Sequence, residues 1–303
     1  MPDVVVVGSV NQDIVVQVPE PPGPGETVLA GDVSITPGGK GANQAVAVAR
    51  TGASVSMVGR VGDGAADAAG PALKDELAAA GVDVSNVRET PGVPSGRAFI
   101  TVTPDGENRI IVAAGANAAL SAGDVDAVAD LLMRAKVIAT QLEIPRQATQ
   151  RLATAAASYG VPLILNLAPA TVLPAEVLAA VAVLVVNEHE AAFLLGEPVR
   201  AGQDPRAAES AAGRLLGMGP AAVALTLGAA GAVWCTAGAA GHVPAPEVKV
   251  VDTTGAGDAF AGALAARLAD GQDLAAATAF AVRVASEATT TRGAQLSAGG
   301  GHR

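Results

Sequence analysis

The chain has 303 residues, half of them hydrophobic and 16% charged, so it has material for a sizeable core and no compositional case for disorder. Nineteen basic against twenty-nine acidic side chains leave a net charge of −10, which argues against a nucleic-acid or anionic-membrane partner. The single cysteine, Cys235, excludes an internal disulfide framework and a cysteine-cluster zinc site.

At the start, Met1-Pro2-Asp3 puts no basic segment ahead of the apolar run, so no secretory leader is expected and the expected compartment is the reducing cytoplasm. Val4 to Val7 is a continuous β-branched run ending at Gly8-Ser9. Runs that do not alternate suit strands buried on both faces, as in parallel sheets covered by helices. Asn11-Gln12-Asp13 follows directly, which places Asn11 and Asp13 at the ligand edge of such a sheet, where an Asp can accept hydrogen bonds from two adjacent sugar hydroxyls. Glu26 to Thr36 then alternates apolar and polar residues after a Pro/Gly-rich lead-in. Gly38-Gly39-Lys40-Gly41-Ala42-Asn43 opens a helix over Ala42 to Arg50, a turn able to hydrogen-bond neutral hydroxyls or simply to join strand to helix.

Short buried-strand runs recur at Val55 to Val58, Val137-Ile138, Leu163 to Leu165, Ala182 to Val186 and Ala222 to Leu227. Ala/Leu-rich helical stretches lie between them, at Ala65 to Ala80, Asp124 to Arg134 and Ala207 to Leu216. Strand alternating with helix predicts a doubly wound, mostly parallel α/β sheet flanked by helices, as one domain over 1–303. Arg97 to Val112 reads as a hairpin turning at Pro104-Asp105-Gly106. With the segment at about 14–36 it is expected to form a small β-sheet lid. The apolar stretch Val177 to Val186 is too short to cross a membrane.

Chemistry concentrates at strand exits and helix starts. Asn187-Glu188-His189-Glu190 spaces two oxygen ligands, Asn187 and Glu190, for a magnesium ion held mostly through water, a pattern that also reads as a helix cap. Thr226-Leu227-Gly228-Ala229-Ala230-Gly231 is a small-residue loop where a nucleotide backbone could lie. Asp252-Thr253-Thr254-Gly255-Ala256-Gly257-Asp258 precedes an apolar helix over Asp258 to Ala269. Two glycines before a helix start make an anion hole, and a carboxylate beside it suits removal of a hydroxyl proton during phosphoryl transfer. As an isolated pattern, Asp258 reads equally as an N-cap. Neither a Walker A loop nor a G-x-G-x-x-G fingerprint occurs.

These segments, in this order from Val4 to about Ser297, resemble the carbohydrate kinases of the ribokinase (PfkB) family. Asp252 to Asp258 looks like the family's C-terminal signature and Gly38 to Gly52 like its N-terminal one. Pro24-Gly25-Glu26-Thr27, Ala114 to Leu120, Gln141-Leu142-Glu143 and Ala168-Pro169-Ala170 extend the match. The resemblance implies ATP-dependent phosphorylation of D-ribose at its 5-hydroxyl. Deoxyribose, fructose or a nucleoside as acceptor, or a non-catalytic sugar-binding role, stay open.

By the same resemblance the sugar pocket comprises Asn11, Asp13, Gly39, Lys40, Gly41, Ala42, Asn43, Glu143 and Asp258, with Asp258 the general base; at an ordinary carboxylate pKa it is ionised at neutral pH. Gly255, Ala256 and Gly257 supply the anion hole. ATP contacts Asn187, the loop Thr226, Leu227, Gly228, Ala229, Ala230 and Gly231, and Gly257. Asn187 and Glu190 help place magnesium. Asp252, Thr254, Ala288, Thr291, Gly293 and Ser297 match a potassium site, and relatives of this kind pair as homodimers through their lids. A polar contact for the base is not evident near Phe280 to Val282.

Overall fold

A computed structural model describes residues 1–104, 107–199, 204–291 and 293–295, so the tip of the 97–112 hairpin and Ser297 lie outside the described residues. The chain runs through β1 (Val4–Val7), β2 (Asn11–Gln17), β3 (Val33–Gly38), α1 (Lys40–Arg50), β4 (Val55–Gly62), α2 (Ala69–Ala79), β5 (Asp83–Thr90), β6 (Gly96–Val102) and β7 (Asn108–Ala113). It continues with α3 (Ala122–Asp126), α4 (Ala129–Arg134), β8 (Val137–Thr140), α5 (Arg146–Tyr159), β9 (Leu163–Asn166), α6 (Ala175–Ala179), β10 (Val183–Asn187) and α7 (Glu188–Leu195). The last elements are α8 (Pro205–Leu216), β11 (Ala222–Thr226), β12 (Ala232–Thr236), β13 (Ala240–Val243), α9 (Ala256–Ala269) and α10 (Leu274–Ala288).

Nine strands form one sheet in the order β13-β12-β11-β10-β9-β8-β1-β4-β5, and β3-β2-β6-β7 form a second, smaller sheet. The large sheet is parallel from β11 through β5, and β12 and β13 add an antiparallel edge. The β-branched runs explain the burial. Val5, Val7, Leu184 and Val186 enter the apolar cluster on one face, and Val4, Val6, Val183 and Val185 the cluster on the other. Each such side chain contributes roughly 1.5–3 kcal/mol by leaving water. The sequence order turns around at β1, which pairs with β4 on one side and β8 on the other. Ligands of open α/β sheets bind at the carboxyl edge beside such a reversal.

The expected elements hold, with local differences. The helix read over Asp124 to Arg134 is two, because Val128 leaves helical geometry (φ −113°, ψ 20°) and Ser121 with Asp124 forms a capping box at the start of α3. Residues 65–68 stay outside α2, held by the Asp63 and Asp67 carboxylates, which accept from the Ala66 and Gly70 N–H groups at 2.6 and 3.0 Å. The alternation over Glu26 to Thr36 becomes strand only from Val33; the stretch before it is largely exposed and has no buried face to fix a ladder. Conversely, the small sheet begins at Asn11, three residues earlier than read.

Within the small sheet, Asn11 lies in register with Gly38 on β3 and Gly96 on β6, so three strand ends converge just past β1. Asn11 and Asp13 share the buried face of β2. On the opposite face Ile35, Ile14, Phe99 and Ile111 form one cross-strand row, and Ile35, Phe99 and Ile111 are exposed.

Candidate active site

The site gathers where β1, β9, β10 and β11 end and α1 and α9 begin. Gly41 lets α1 approach: a Cβ there would stand 2.6 Å from the Ser9 nitrogen. Ser9, fully buried, receives that helix start, its carbonyl accepting from Ala42 N–H at 2.9 Å and its hydroxyl from Gly41 N–H at 3.3 Å. The same hydroxyl donates to Glu143 Oε2 at 2.6 Å, which also accepts from Lys40 N–H at 3.1 Å. Asn11, 2% exposed, accepts from Asn117 Nδ2 at 2.7 Å, and Asn117 is itself tied to Val10.

Asp258, 6% exposed, lies in the first turn of α9. Asn43 Nδ2 donates to its Oδ2 at 3.0 Å and Gln44 Nε2 to its Oδ1 at 3.2 Å. Gln44 Nε2 also reaches Asn166 Oδ1 at 3.3 Å. The carboxylate is therefore not an N-cap: it serves no helix N–H, and the cap position belongs to Gly255, at φ 77°. That left-handed residue must be glycine, since a Cβ would collide with the Ala294 carbonyl. Ala256 N–H is already bonded to the Thr253 carbonyl at 3.2 Å. The N–H groups of Gly255, Gly257 and Asp258 find no acceptor among the described residues. Open donors at the positive end of a helix make an anion site.

Electrostatics follow from burial. Burial pushes the Asp258 carboxyl above the usual carboxylate range, while Lys40 and the amides of Asn43 and Gln44 act against it. The ordinary value expected from sequence therefore does not hold. Asp13, 7% exposed, is pushed up to about 6 by burial first and then by Glu143 and Asp258, so it is largely ionised at neutral pH. Burial likewise raises Glu190, opposed by the Asn187 N–H and Lys40. At Lys40 burial works against the charge, but Asp258, Glu143, Glu190 and Asp13 outweigh it and hold the ammonium above its ordinary range. Among the described residues no carboxylate comes within 4.0 Å of Lys40 Nζ.

Two cavities open here. One of 200 Å³ is lined by Lys40, Asn187, Glu190, Gly255, Gly257 and Asp258 among others. The second, of 590 Å³, shares Thr226 and Gly257 with it and extends to Val248, Val250, Phe260, Val282 and Ala285. Gly228, Ala229 and Gly231 line this larger cavity; Leu227 is buried in the core and Ala230 packs against it, so neither faces it. Val282 forms part of its wall, whereas Phe280 packs against the Arg267 guanidinium at 3.9 Å. The hydroxyls of Ser286 and Thr289 in that wall donate to carbonyls of their own helix end. Asn187 and Glu190 form a reciprocal capping box for α7, both bonds 2.8 Å.

Behind the anion site, Asp252 accepts from Thr254 N–H at 2.9 Å and Gly293 N–H at 3.0 Å, drawing two candidate cation ligands to the end of α10 at Ala288. Thr291 follows three residues later.

The chain matches the pfkB family carbohydrate kinase model over residues 1–298. The chain belongs to this family. It is 37% identical over 295 residues to a ribokinase of Bacillus subtilis, covering 97% of this chain and 95% of that protein. It is 36% identical over 296 residues to a deoxyribokinase of Salmonella typhimurium, with the same coverage. It is similar, at a TM-score of 0.86 and 33% identity, to a structure of Arabidopsis thaliana ribokinase complexed with ribose and ATP, covering 97% of this chain and 94% of that one. As a carbohydrate kinase of this family, the protein has the ATP-binding, α/β architecture that the sequence implied.

Sequence reasoning passed over Ser9, Gln44, Asn117 and Asn166. The available signal was polarity in the wrong place: Asn43-Gln44 within an alanine-rich helix, and an amide ending the apolar strand Leu163–Asn166.

Proposed function

We propose that the protein transfers the terminal phosphoryl group of ATP to the 5-hydroxyl of D-ribose, giving D-ribose 5-phosphate and ADP. The carrying observation is the amide-held Asp258 carboxylate beside three open N–H donors, between buried acceptors and a nucleoside-sized cavity. Asp13 Oδ1, Asn43 Oδ1 and Gln44 Oε1 are buried without hydrogen-bond partners, and buried acceptors need donors. Hydroxyls of a polyol supply them. Asp13, Asn11, Asn43 and Glu143 thereby hold the sugar, with the Gly39 to Ala42 turn forming the floor. The larger cavity takes the nucleoside, and the phosphates run past Gly257 toward Lys40.

In the transfer, the 5-oxygen forms a bond to the γ-phosphorus as the bond to the β–γ bridging oxygen breaks. ADP leaves with that electron pair, and the hydroxyl proton passes to Asp258. Gly255, Gly257 and Asp258 N–H groups steady the equatorial oxygens, with Ala256 exchanging its turn bond to join them. Positioning supplies most of the acceleration.

Magnesium bound to the phosphates would offset their charge, and the oxygen donors of Asn187 and Glu190 suit it through water. Among the described residues no three His, Cys or carboxylate side chains converge on a metal, consistent with an ion brought by the nucleotide. Asp252 with carbonyls of Thr254, Ala288, Thr291 and Gly293 is a hard-oxygen set at a helix C-terminus, where the dipole favours a cation. Potassium fits it. The 293–295 segment abuts Gly255, so ordering that segment steadies the anion hole. Replacing tetramethylammonium by potassium at equal ionic strength is expected to raise kcat at least about fivefold, through firmer transition-state stabilisation; a flat response in a coupled ADP assay removes the cation site.

The exposed Ile35, Phe99 and Ile111 row supports pairing of two copies through the small sheet. Sedimentation velocity is expected to give twice the chain mass, and Ile111→Glu to restore one; a monomeric parent protein ends this reading.

A ribokinase at 37% and a deoxyribokinase at 36% identity are both among the relatives. A panel of ribose, 2-deoxyribose, fructose and adenosine, read by ADP release, decides the acceptor. The proposal expects the highest kcat/KM with ribose; a better deoxyribose or adenosine overturns the acceptor, and sugar binding without ADP release overturns the kinase.

A further inference from the structure

We propose that Ser9 is a positioning residue for the sugar, acting through Glu143. The inference rests on the proposed sugar-kinase reading. The hydrogen bonds that matter lie at the N-terminus of α1. The cap residue, Gly39, has no side chain, so the first N–H groups of the helix must find acceptors elsewhere. They find them across the chain: Lys40 N–H donates to Glu143 Oε2 at 3.1 Å, Gly41 N–H to Ser9 Oγ at 3.3 Å and Ala42 N–H to the Ser9 carbonyl at 2.9 Å. Ser9 then closes the circuit by donating its own hydroxyl proton to Glu143 Oε2 at 2.6 Å.

One oxygen of Glu143 thus carries two donors, a hydroxyl and a helix amide. Its other oxygen, Oε1, is left as the acceptor for a sugar hydroxyl. A hydroxyl has one proton to give, and the helix amide already faces the Ser9 oxygen from the other side. The orientation of Ser9, and hence of the carboxylate plane, is fixed by the helix that carries Lys40 and Asn43. Ser9 is fully buried and Glu143 partly so, which makes the Ser9–Glu143 bond one formed within the fold. Without the hydroxyl, the Lys40 amide alone holds Oε2, and a single bond fixes the carboxylate plane, and with it Oε1, less firmly than two.

The test is steady-state kinetics with ribose calorimetry on Ser9→Ala, Glu143→Gln and the double variant. Ser9→Ala is expected to raise KM and Kd for ribose about ten- to a hundredfold, the range for a hydrogen bond to a charged group, and to move KM for ATP far less. In the Glu143→Gln background the same change is expected to cost under about twofold, because the residues act as one unit. Equal factors in both backgrounds mean that Ser9 serves the fold alone and overturn the inference, as does an unchanged ribose Kd. Ser9→Cys, which keeps the volume with only a weak S–H donor, gives the same comparison if the alanine variant does not fold. Absence of ribose binding by the parent protein removes the sugar reading itself; parent binding with an indifferent Ser9 removes only this role.

Discussion

Asp258→Asn is expected to lower kcat by about 10²- to 10⁴-fold, the range for losing a general base, while ribose binding measured by calorimetry stays within about tenfold. The shape is conserved, but the acceptor for the hydroxyl proton is gone. Asn43 Nδ2 and Gln44 Nε2 each donate to one carboxylate oxygen, so the new side chain keeps one of these bonds through its oxygen and keeps the other only if the facing amide turns its own oxygen toward the new NH2 group. A folded variant turning over within tenfold of the parent removes Asp258 from the chemistry. Because burial already lifts this carboxyl, activity is expected to fall on the acid side, as protonation of Asp258 removes the base.

Lys40→Met is expected to cost about 10²- to 10³-fold in kcat, the usual loss when one preorganised electrostatic contact is deleted from a transition state. Methionine keeps the apolar stem and removes only the charge. That charge stands among Asp258, Glu143, Glu190 and Asp13 and holds the first of these down. The sign of the pH effect follows. Without the ammonium the Asp258 carboxyl rises further, so the acid limb of the kcat profile moves to higher pH. A variant whose limb stays in place, or whose kcat drops less than about tenfold, shows that Lys40 is not coupled to the base.

Much of the fold was legible because its strands are of one kind. Val4 to Val7 and Val183 to Val186 do not alternate, and only a sheet covered on both faces explains that. The antiparallel edge of β12 and β13 was missed because Ala232 to Val243 mixes glycine, threonine and alanine without a period. The boundary at Val128 depends on tertiary packing that overrides the helical pattern. At the site, the glycine turns before α1 and α9 announce themselves locally. The supporting residues do not. Ser9 meets Glu143 across 134 positions, and Gln44 meets Asp258 across 214, so no spacing rule links them. Asn187 and Glu190 read in sequence both as magnesium ligands and as a helix cap, and the structure shows the capping bonds.

The order of the site residues along the chain has a consequence for biosynthesis. Asn11, Asp13, Asn43 and Glu143, the proposed sugar contacts, all precede residue 144, whereas the lining of the larger cavity and Asp258 come from residues 226–289. On the proposed assignment, a polypeptide still emerging from the ribosome carries its sugar contacts long before the residues that line the nucleotide cavity. Asp258 and its anion hole appear only after residue 254, so an unfinished chain has no means to squander ATP on water.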